Sequence, residues 1–288
     1  MIRNILREVM GYSLIQLNHL RKANRNPGIV SIYFHNPSKI LFDKIILWLI
    51  DSGYRFISLE ELNFFITEKI TSEKLAIITF DDGWNQNLEL LESIEKYNVP
   101  VAIFMPIEAV KEGNYWWEYA SQEGQYQYSH LKGNEDFKKL PNDLFTEKVS
   151  ILKHNYNLKR SCITLEELRK ISKLKLITIG SHTVTHPILN KCSPEKQENE
   201  LIESKQTLSK WLNKEVDYLS YPNGDYDEHT IAIAKKCGYK LAFATTGGKI
   251  DVKNVNPYII PRHCMNDNGG YFENISKISG IWQKLLKK

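Results

Sequence analysis

Apolar and polar positions along the chain follow two alternating rhythms. Short apolar runs, Ile29 to Phe34, Leu75 to Phe80, Val99 to Met105, Leu174 to Ile179, Asp217 to Tyr221 and Lys240 to Ala244, predict strands, with Tyr258 to Ile260 a weaker run after them. Between them lie longer stretches with helical spacing. One is predicted from about Ser38 to Asp51, stopping at Gly53, and another from Asn85 to Tyr97. Ser193-Pro194-Glu195 is a start signal, an N-cap followed by proline at the first helical position, for a helix running to about Asn213. Asp227 caps a further helix that ends before Gly238. Such an order of elements predicts βα units around a mostly parallel sheet or barrel.

The stretch from Ile107 to Ser161 breaks the rhythm, with Trp116, Trp117, Tyr119, Tyr126 and Tyr128 crowded into polar sequence. It reads as an insertion between two barrel strands. Either its rings serve the site by stacking on sugar faces, or they form a small aromatic core of their own. The two ends resemble each other: Ile2, Ile5, Leu6, Val9 and Met10 recur at helical spacing, as do Ile278, Ile281, Trp282, Leu285 and Leu286. Both are basic amphipathic segments that either pack on the outside of the domain or touch a membrane surface. The expected organisation is an N-terminal helical segment 1–28, a barrel domain 29–265 with its insertion at about 107–161, and a C-terminal amphipathic helix 266–288.

Composition narrows the classes of function. A chain of 288 residues, 42% hydrophobic, can bury a full core as one large domain or two small ones. Its 38 basic and 34 acidic residues give a net charge of +4, too mild and too dispersed for a nucleic-acid partner. The four cysteines, Cys162, Cys192, Cys237 and Cys264, show no CxxC spacing, which favours free thiols in a reducing compartment over metal ligation by Cys192 near His186. Met1 to Arg25 lacks the apolar core and cleavage site of a signal peptide, and no run reaches the roughly 20 apolar residues of a membrane span. The expectation is a cytoplasmic protein, at most placed at the inner membrane face.

Candidate chemistry sits just after the strand runs. Asp81 and Asp82 follow Phe80, His182 and His186 follow the strand ending near Ile179, Tyr221-Pro222-Asn223-Gly224 closes another, and His35 follows Phe34. In a parallel barrel those ends converge on one face, where active sites form. One carboxylate and two imidazoles, from Asp82, His182 and His186, make a facial ligand set that leaves positions open for water and substrate. Asp81 stands next to it as a second carboxylate able to take a proton.

These residues resemble the polysaccharide deacetylases, the NodB-homology domains of carbohydrate esterase family 4. Thr79-Phe80-Asp81-Asp82-Gly83 is similar to the first motif of that family, Ser181-His182-Thr183-Val184-Thr185-His186 to the second, and Tyr221-Pro222-Asn223-Gly224 to the third in a form lacking its arginine. Gly53-Tyr54 to Leu62 and Pro261-Arg262 resemble flanking features of the polysaccharide-biosynthesis branch. The resemblance spans roughly Ile29 to Arg262. It implies a distorted (β/α)7 barrel of the NodB type, with Asp82, His182 and His186 as ligands of a divalent metal, most readily zinc. It further implies N-deacetylation of an acetylated glycan or a lipid-linked sugar, with metal-bound water as nucleophile, Asp81 as general base, and an oxyanion held by the metal and a backbone N–H near Asn223. Tyr221, Pro222, Asn223, Trp116 and Trp117 are then the expected substrate-binding residues.

Two departures from the pattern matter. The C-terminal leucine-x-x-histidine motif that supplies the general acid is absent after Arg262, and His35 is the expected replacement, with His263 a weaker one. Arg262 is the expected substitute for the missing third-motif arginine that keeps the base ionised. Rival readings are a deformylase or other amidase acting on a lipid-linked sugar or small amide, and a non-catalytic carbohydrate-binding barrel.

Overall fold

The structure, a computed structural model, describes residues 2–20, 28–70, 73–123 and 134–282; Tyr126, Tyr128, Leu285 and Leu286 of the expected insertion and C-terminal helix lie outside the described residues. Its strands are β1 (Ile29–Phe34), β2 (Arg55–Phe56), β3 (Leu75–Phe80), β4 (Val101–Met105), β5 (Ile177–Ser181), β6 (Tyr218–Ser220), β7 (Leu241–Phe243), β8 (Lys249–Ile250) and β9 (His263–Cys264). They join in the order β7-β6-β5-β4-β3-β1-β8, with β2 beside β3 and β9 beside β1. Every pairing is parallel except β1 with β8. This curled sheet is the mostly parallel arrangement that the strand pattern predicts and the distorted (β/α) barrel that the resemblance implies.

Alternation along the strands divides the core in two. Val30, Ile32 and Phe34 of β1 and Ala76, Ile78 and Phe80 of β3 pack with Phe42, Ile45 and Leu49 of the covering helix. Leu75, Ile77, Ala102, Phe104, Leu241 and Phe243 form a second cluster, the filling of the barrel. Thr79 and Asp81 have the inward parity of Leu75 and Ile77, which aims Asp81 into the barrel mouth.

The helices are α1 (Ile2–Leu20), α2 (Lys39–Asp51), α3 (Leu59–Glu68), α4 (Leu91–Lys96), α5 (Ile107–Glu112), α6 (Trp116–Glu123), α7 (Asn134–Phe137), α8 (Asn142–Asn155), α9 (Leu165–Ile171), α10 (Pro194–Leu212), α11 (Glu228–Lys236) and α12 (Tyr271–Ile278). The expected caps are in place: Ser193 accepts from Lys196 N, Asp227 from Thr230 N, and α10 ends on a left-handed Asn213. The expected helix from Asn85 is instead a 3₁₀ turn over Asn85–Leu90 that runs into α4.

Three strand boundaries differ from the pattern. Leu174 to Leu176 belong to a turn after α9, because Leu174 N bonds Ile171 O and Ile177 N bonds Leu174 O. Val99 N bonds Ile94 O and so closes the preceding helix rather than opening β4. Tyr258 to Ile260 contributes a single bridge, Ile260 to Phe243 of β7. That bridge has a consequence for the site. Since β9 pairs with β1 three residues later, the segment from Ile260 to Cys264 spans the gap between β7 and β1, with Arg262 in its middle.

The insertion has its own core, in which Trp116, Tyr119, Phe137, Phe145, Val149 and Leu152 are buried together. Elsewhere in the fold α1 packs on α12. Gly11 permits the contact, because a Cβ there would stand 2.6 Å from the Phe272 backbone. The Glu8 carboxylate accepts from Phe272 N at 2.9 Å and Glu273 N at 3.0 Å, capping the start of α12. Ile5, Leu6 and Val9 remain 56%, 64% and 59% exposed, so the stripe read from helical spacing faces away from α12. Among the described residues no helix is long and apolar enough to cross a membrane.

Candidate active site

Asp81 follows β3 and is buried with Arg262 against it. The guanidinium donates from Nη1 to Oδ1 at 2.7 Å and from Nη2 to Oδ2 at 2.8 Å, a two-pronged pairing that fixes the carboxylate plane. Arg262 is fully buried and otherwise satisfied by Thr79 Oγ1, Ser220 Oγ and the Ala244 carbonyl, with its plane 4.3 Å from the centre of the Tyr33 ring. Burial works to raise the pKa of Asp81, but the Arg262 charge and hydrogen bonds, helped by His182 and His35, hold it below the usual carboxylate range. Asp81 is therefore ionised at neutral pH.

Asp82 takes a left-handed φ of 72° and Gly83 one of 73°, turning the Asp82 side chain out of the strand's alternation. A Cβ on Gly83 would meet Met105 Sδ at 2.2 Å, so the close approach of this loop to β4 requires glycine. Asp82 Oδ1 then lies 3.5 Å from His182 Nε2 and 3.5 Å from His186 Nε2. The three donor atoms lie within 4.8 Å of one another, and all three residues are buried. Among the described residues Asp82 Oδ1 has no hydrogen-bond partner, while Oδ2 accepts from Trp84 Nε1 at 3.2 Å.

His182 is prepared as a lone-pair donor. His182 Nδ1 lies 2.7 Å from the Ser220 carbonyl, which can only accept, so that nitrogen carries the proton and Nε2 is left bare. Burial, with His182 nearby, pushes the His186 pKa down to about 3, which keeps it neutral. For Asp82 burial acts upward, but His182 and the charge of His35 keep it well below the normal range. A buried, unpartnered carboxylate oxygen facing two imidazole Nε2 atoms is a costly arrangement without a cation, and its one-oxygen, two-nitrogen donor set suits a divalent first-row ion.

His35 lines the same cavity from the end of β1. Its Nδ1 is 3.6 Å from Asp267 Oδ2, which also accepts from the His35 and Asn36 backbone N–H groups at 3.1 Å each. Burial opposes protonation, yet Asp267 and the charges of Asp82 and Asp81 push the His35 pKa up to about 10. His263 is buried beside β1 and does not line the cavity.

The cavity has a volume of about 470 Å³ and brings together Asp81, Asp82, His182, His186, His35 and Asn223. Trp116 and Trp117 form part of its wall, although Trp116 is only 3% exposed and donates from Nε1 to the His186 carbonyl at 3.1 Å. The insertion thus has its own aromatic core and also reaches the site. Tyr221 and Pro222 are a correction to the expected substrate-binding set: both are buried away from the cavity, Tyr221 in a cluster with Leu219 and Tyr239, its hydroxyl donating to the Tyr258 carbonyl. Arg262 does not line the cavity and meets it through its pairing with Asp81.

Sequence reasoning missed Trp84, Ser220, Thr245 and Asp267. Trp84 is adjacent to the Asp-Asp-Gly turn and could have been suspected from that alone. Nothing in the sequence pairs Asp267 with His35, 232 positions away.

Comparison with known proteins agrees with this geometry. The family profile described as polysaccharide deacetylase matches residues 68–242. A candidate polysaccharide deacetylase of Bacillus subtilis, YxkH, is 26% identical over 72% of this chain, which spans only 58% of that protein's length. The poly-beta-1,6-N-acetyl-D-glucosamine N-deacetylase of Staphylococcus aureus is 24% identical over 92% of this chain and 82% of its own. Among solved structures, the Streptococcus pyogenes deacetylase PplD in complex with acetate superposes with a TM-score of 0.64 at 20% identity, over 88% of this chain and 99% of that one, a likeness of fold. With the profile matching more than half of its length and Asp81, Asp82, His182 and His186 gathered in one cavity, the chain belongs to the polysaccharide deacetylase family.

Proposed function

We propose that this protein is a metal-dependent N-deacetylase that hydrolyses the acetamido group of an amino sugar in a glycan, releasing acetate and a free amine. The observation that carries the reading is the unpartnered Asp82 Oδ1 between His182 Nε2 and His186 Nε2, with the Arg262-held Asp81 in the same cavity. Asp82, His182 and His186 would hold the cation, zinc being the ion their donor set suits best. When bound, such an ion supplies Lewis-acid polarisation of the amide carbonyl and makes water a stronger acid.

The remaining steps belong to the protein's own side chains. Asp81 accepts the proton of the attacking water through Oδ1, which among the described residues is engaged by Arg262 alone, whereas Oδ2 also accepts from Ser220 Oγ at 3.3 Å. Arg262 keeps Asp81 ionised and fixes its orientation. Asn223, in a left-handed conformation at φ 56°, turns the backbone at the cavity rim, where an N–H can face the oxyanion. His35, kept protonated by Asp267, delivers a proton to the departing amine nitrogen as the carbon–nitrogen bond breaks. Trp117 and Trp84 offer partly exposed rings to a sugar face.

The test is acid release from poly-N-acetylglucosamine and from a lipid-linked N-acetylated sugar, with wild type beside Asp81→Asn and Asp82→Ala. Acetate from either substrate with wild type, lost in both variants, supports the reading and selects the substrate. Formate from an N-formyl substrate alone points to a deformylase, and glycan binding with no acid released points to a non-catalytic barrel.

A further inference from the structure

Glu200 is an acidic residue 1% exposed that does not line the cavity of the reacting groups, and it has an unusual set of partners. It sits on α10, and its Oε2 accepts from two consecutive backbone N–H groups, Val184 at 2.7 Å and Thr185 at 2.9 Å. Its Oε1 accepts from the Thr185 hydroxyl at 2.7 Å and lies 2.8 Å from Lys196 Nζ. Those backbone groups belong to the loop between His182 and His186, in which Thr183 and His186 adopt left-handed φ values of 66° and 54°. Neither residue is glycine, and for β-branched Thr183 the conformation is strained. One turn further along α10, Ser204 Oγ lies 2.7 Å from Ser181 Oγ, which in turn accepts from Thr183 N.

We propose that Glu200 is the positioning residue of the histidine loop: its buried carboxylate gathers the two successive amides and holds the strained turn that swings His186 toward Asp82. Successive N–H groups beside a left-handed residue form a concave anion site, and here the anion is supplied by the protein. Removing it would leave two amides and a hydroxyl without their acceptor, and the loop would relax to satisfy them. His186, at the loop's far end, then loses its direction while Asp82 and His182 keep theirs. His182 is anchored independently, through Ser220 and through its own N–H on the Met105 carbonyl.

This inference rests on the reading of Asp82, His182 and His186 as a metal site, and its test separates the two. Zinc affinity of the metal-free protein is measured by competition with a chromophoric chelator for wild type, Glu200→Ala, Glu200→Asp and Glu200→Gln, with the melting temperature of each metal-free form recorded alongside. The expected result is a dissociation constant raised roughly ten- to a hundredfold in the alanine and aspartate variants, the scale seen when support behind a ligand is lost. The glutamine variant, whose carbonyl can still accept from both amides, is expected to stay close to wild type. An affinity unchanged in Glu200→Ala, or in Glu200→Asp should the alanine variant not fold, overturns the proposal even if the melting temperature drops, because the residue is then only a support of α10. Wild type that binds no zinc overturns the metal reading itself, and the positioning role falls with it.

Discussion

Arg262 reaches Asp81 from the far end of the barrel's sequence, and two short hydrogen bonds of 2.7 and 2.8 Å join a pair that is almost wholly buried. Such a pair costs desolvation to form, and its stability matters less than what each partner does to the other. The arginine lowers the pKa of Asp81 and fixes its plane. Arg262→Ala is expected to keep bound zinc but lose most turnover, roughly a hundredfold, as a general base out of place does. It should also destabilise the fold by about 3 kcal/mol through the uncompensated carboxylate. Because the folded pKa of Asp81 is depressed, the base is active above that pKa and lost as pH falls through it; the variant's acid limb should move to higher pH. Wild-type turnover in the variant would remove Arg262 from the mechanism.

His35 titrates in the opposite sense. Its pKa is raised to about 10 from 6.5, so the protonated acid is present at neutral pH and disappears as pH rises through the folded value. Asp267→Asn removes one cause of the rise. The alkaline limb of the pH–rate profile should then move to lower pH, while zinc content stays unchanged. Any stabilisation from the raised pKa is full below 6.5 and fades toward 10, so the variant should differ most from wild type in stability at acid and neutral pH. Loading zinc adds positive charge to the cavity and should itself lower the His35 pKa, which histidine NMR titration with and without the ion can read. An unmoved alkaline limb in Asp267→Asn would leave His35 without its assigned partner.

How far the sequence shows this site depends on distance along the chain. Asp81, Asp82, His182 and His186 stand directly after strands whose apolar runs are plain, and parallel pairing brings strand ends together whatever lies between them. Arg262 was legible as a charge near a strand end, though not that its segment closes the barrel between β7 and β1. Tyr221 and Pro222 looked like site residues because they share a turn with Asn223, but the turn presents only Asn223 and buries its neighbours. Asp267 and Glu200 left no signal, since their contacts join segments apart in sequence and run partly to backbone groups, which carry no sequence pattern. The apolar spacing of α1 was plain, and its contact with α12 runs through Gly11, Glu8 and the Tyr12 ring on Phe272 instead.

Trp84 offers a narrower test of the metal centre. Its indole donates to Asp82 Oδ2, which leaves Oδ1 turned toward the histidines, and its ring packs on Tyr115 at a centroid distance of 4.6 Å. Trp84→Phe keeps an aromatic ring there and removes the donor. Zinc affinity should fall roughly tenfold, as for other partners that orient a ligand, with little change in melting temperature of the metal-free form. Equal affinity in the two proteins would show that packing alone orients Asp82.

Next to the cavity-lining Asp267 and Asn268, Glu273 ties three segments together. Its carboxylate accepts from Arg7 of α1 and from Asn266 Nδ2 at 3.1 Å, and Lys277 Nζ stands 3.2 Å away. Asn266 directly precedes Asp267, so this buried carboxylate anchors the segment that carries the partner of His35. Burial opposes ionisation of Glu273, but Arg7, Lys277 and Asn266 hold its pKa below 4.5. Stability from that depression is present above about 4.5 and is lost as pH falls through the folded value. Glu273→Gln removes the charge while keeping the shape, and should cost about 2 kcal/mol at neutral pH, the scale of hydrogen bonds to a charged group. The gap in melting temperature between wild type and variant should therefore narrow as pH is lowered toward 3. A gap that stays constant over that range would mean that Glu273 is not charged in the folded protein, leaving the Gly11 contact, the Glu8 cap and the Tyr12–Phe272 ring pair to join α1 and α12.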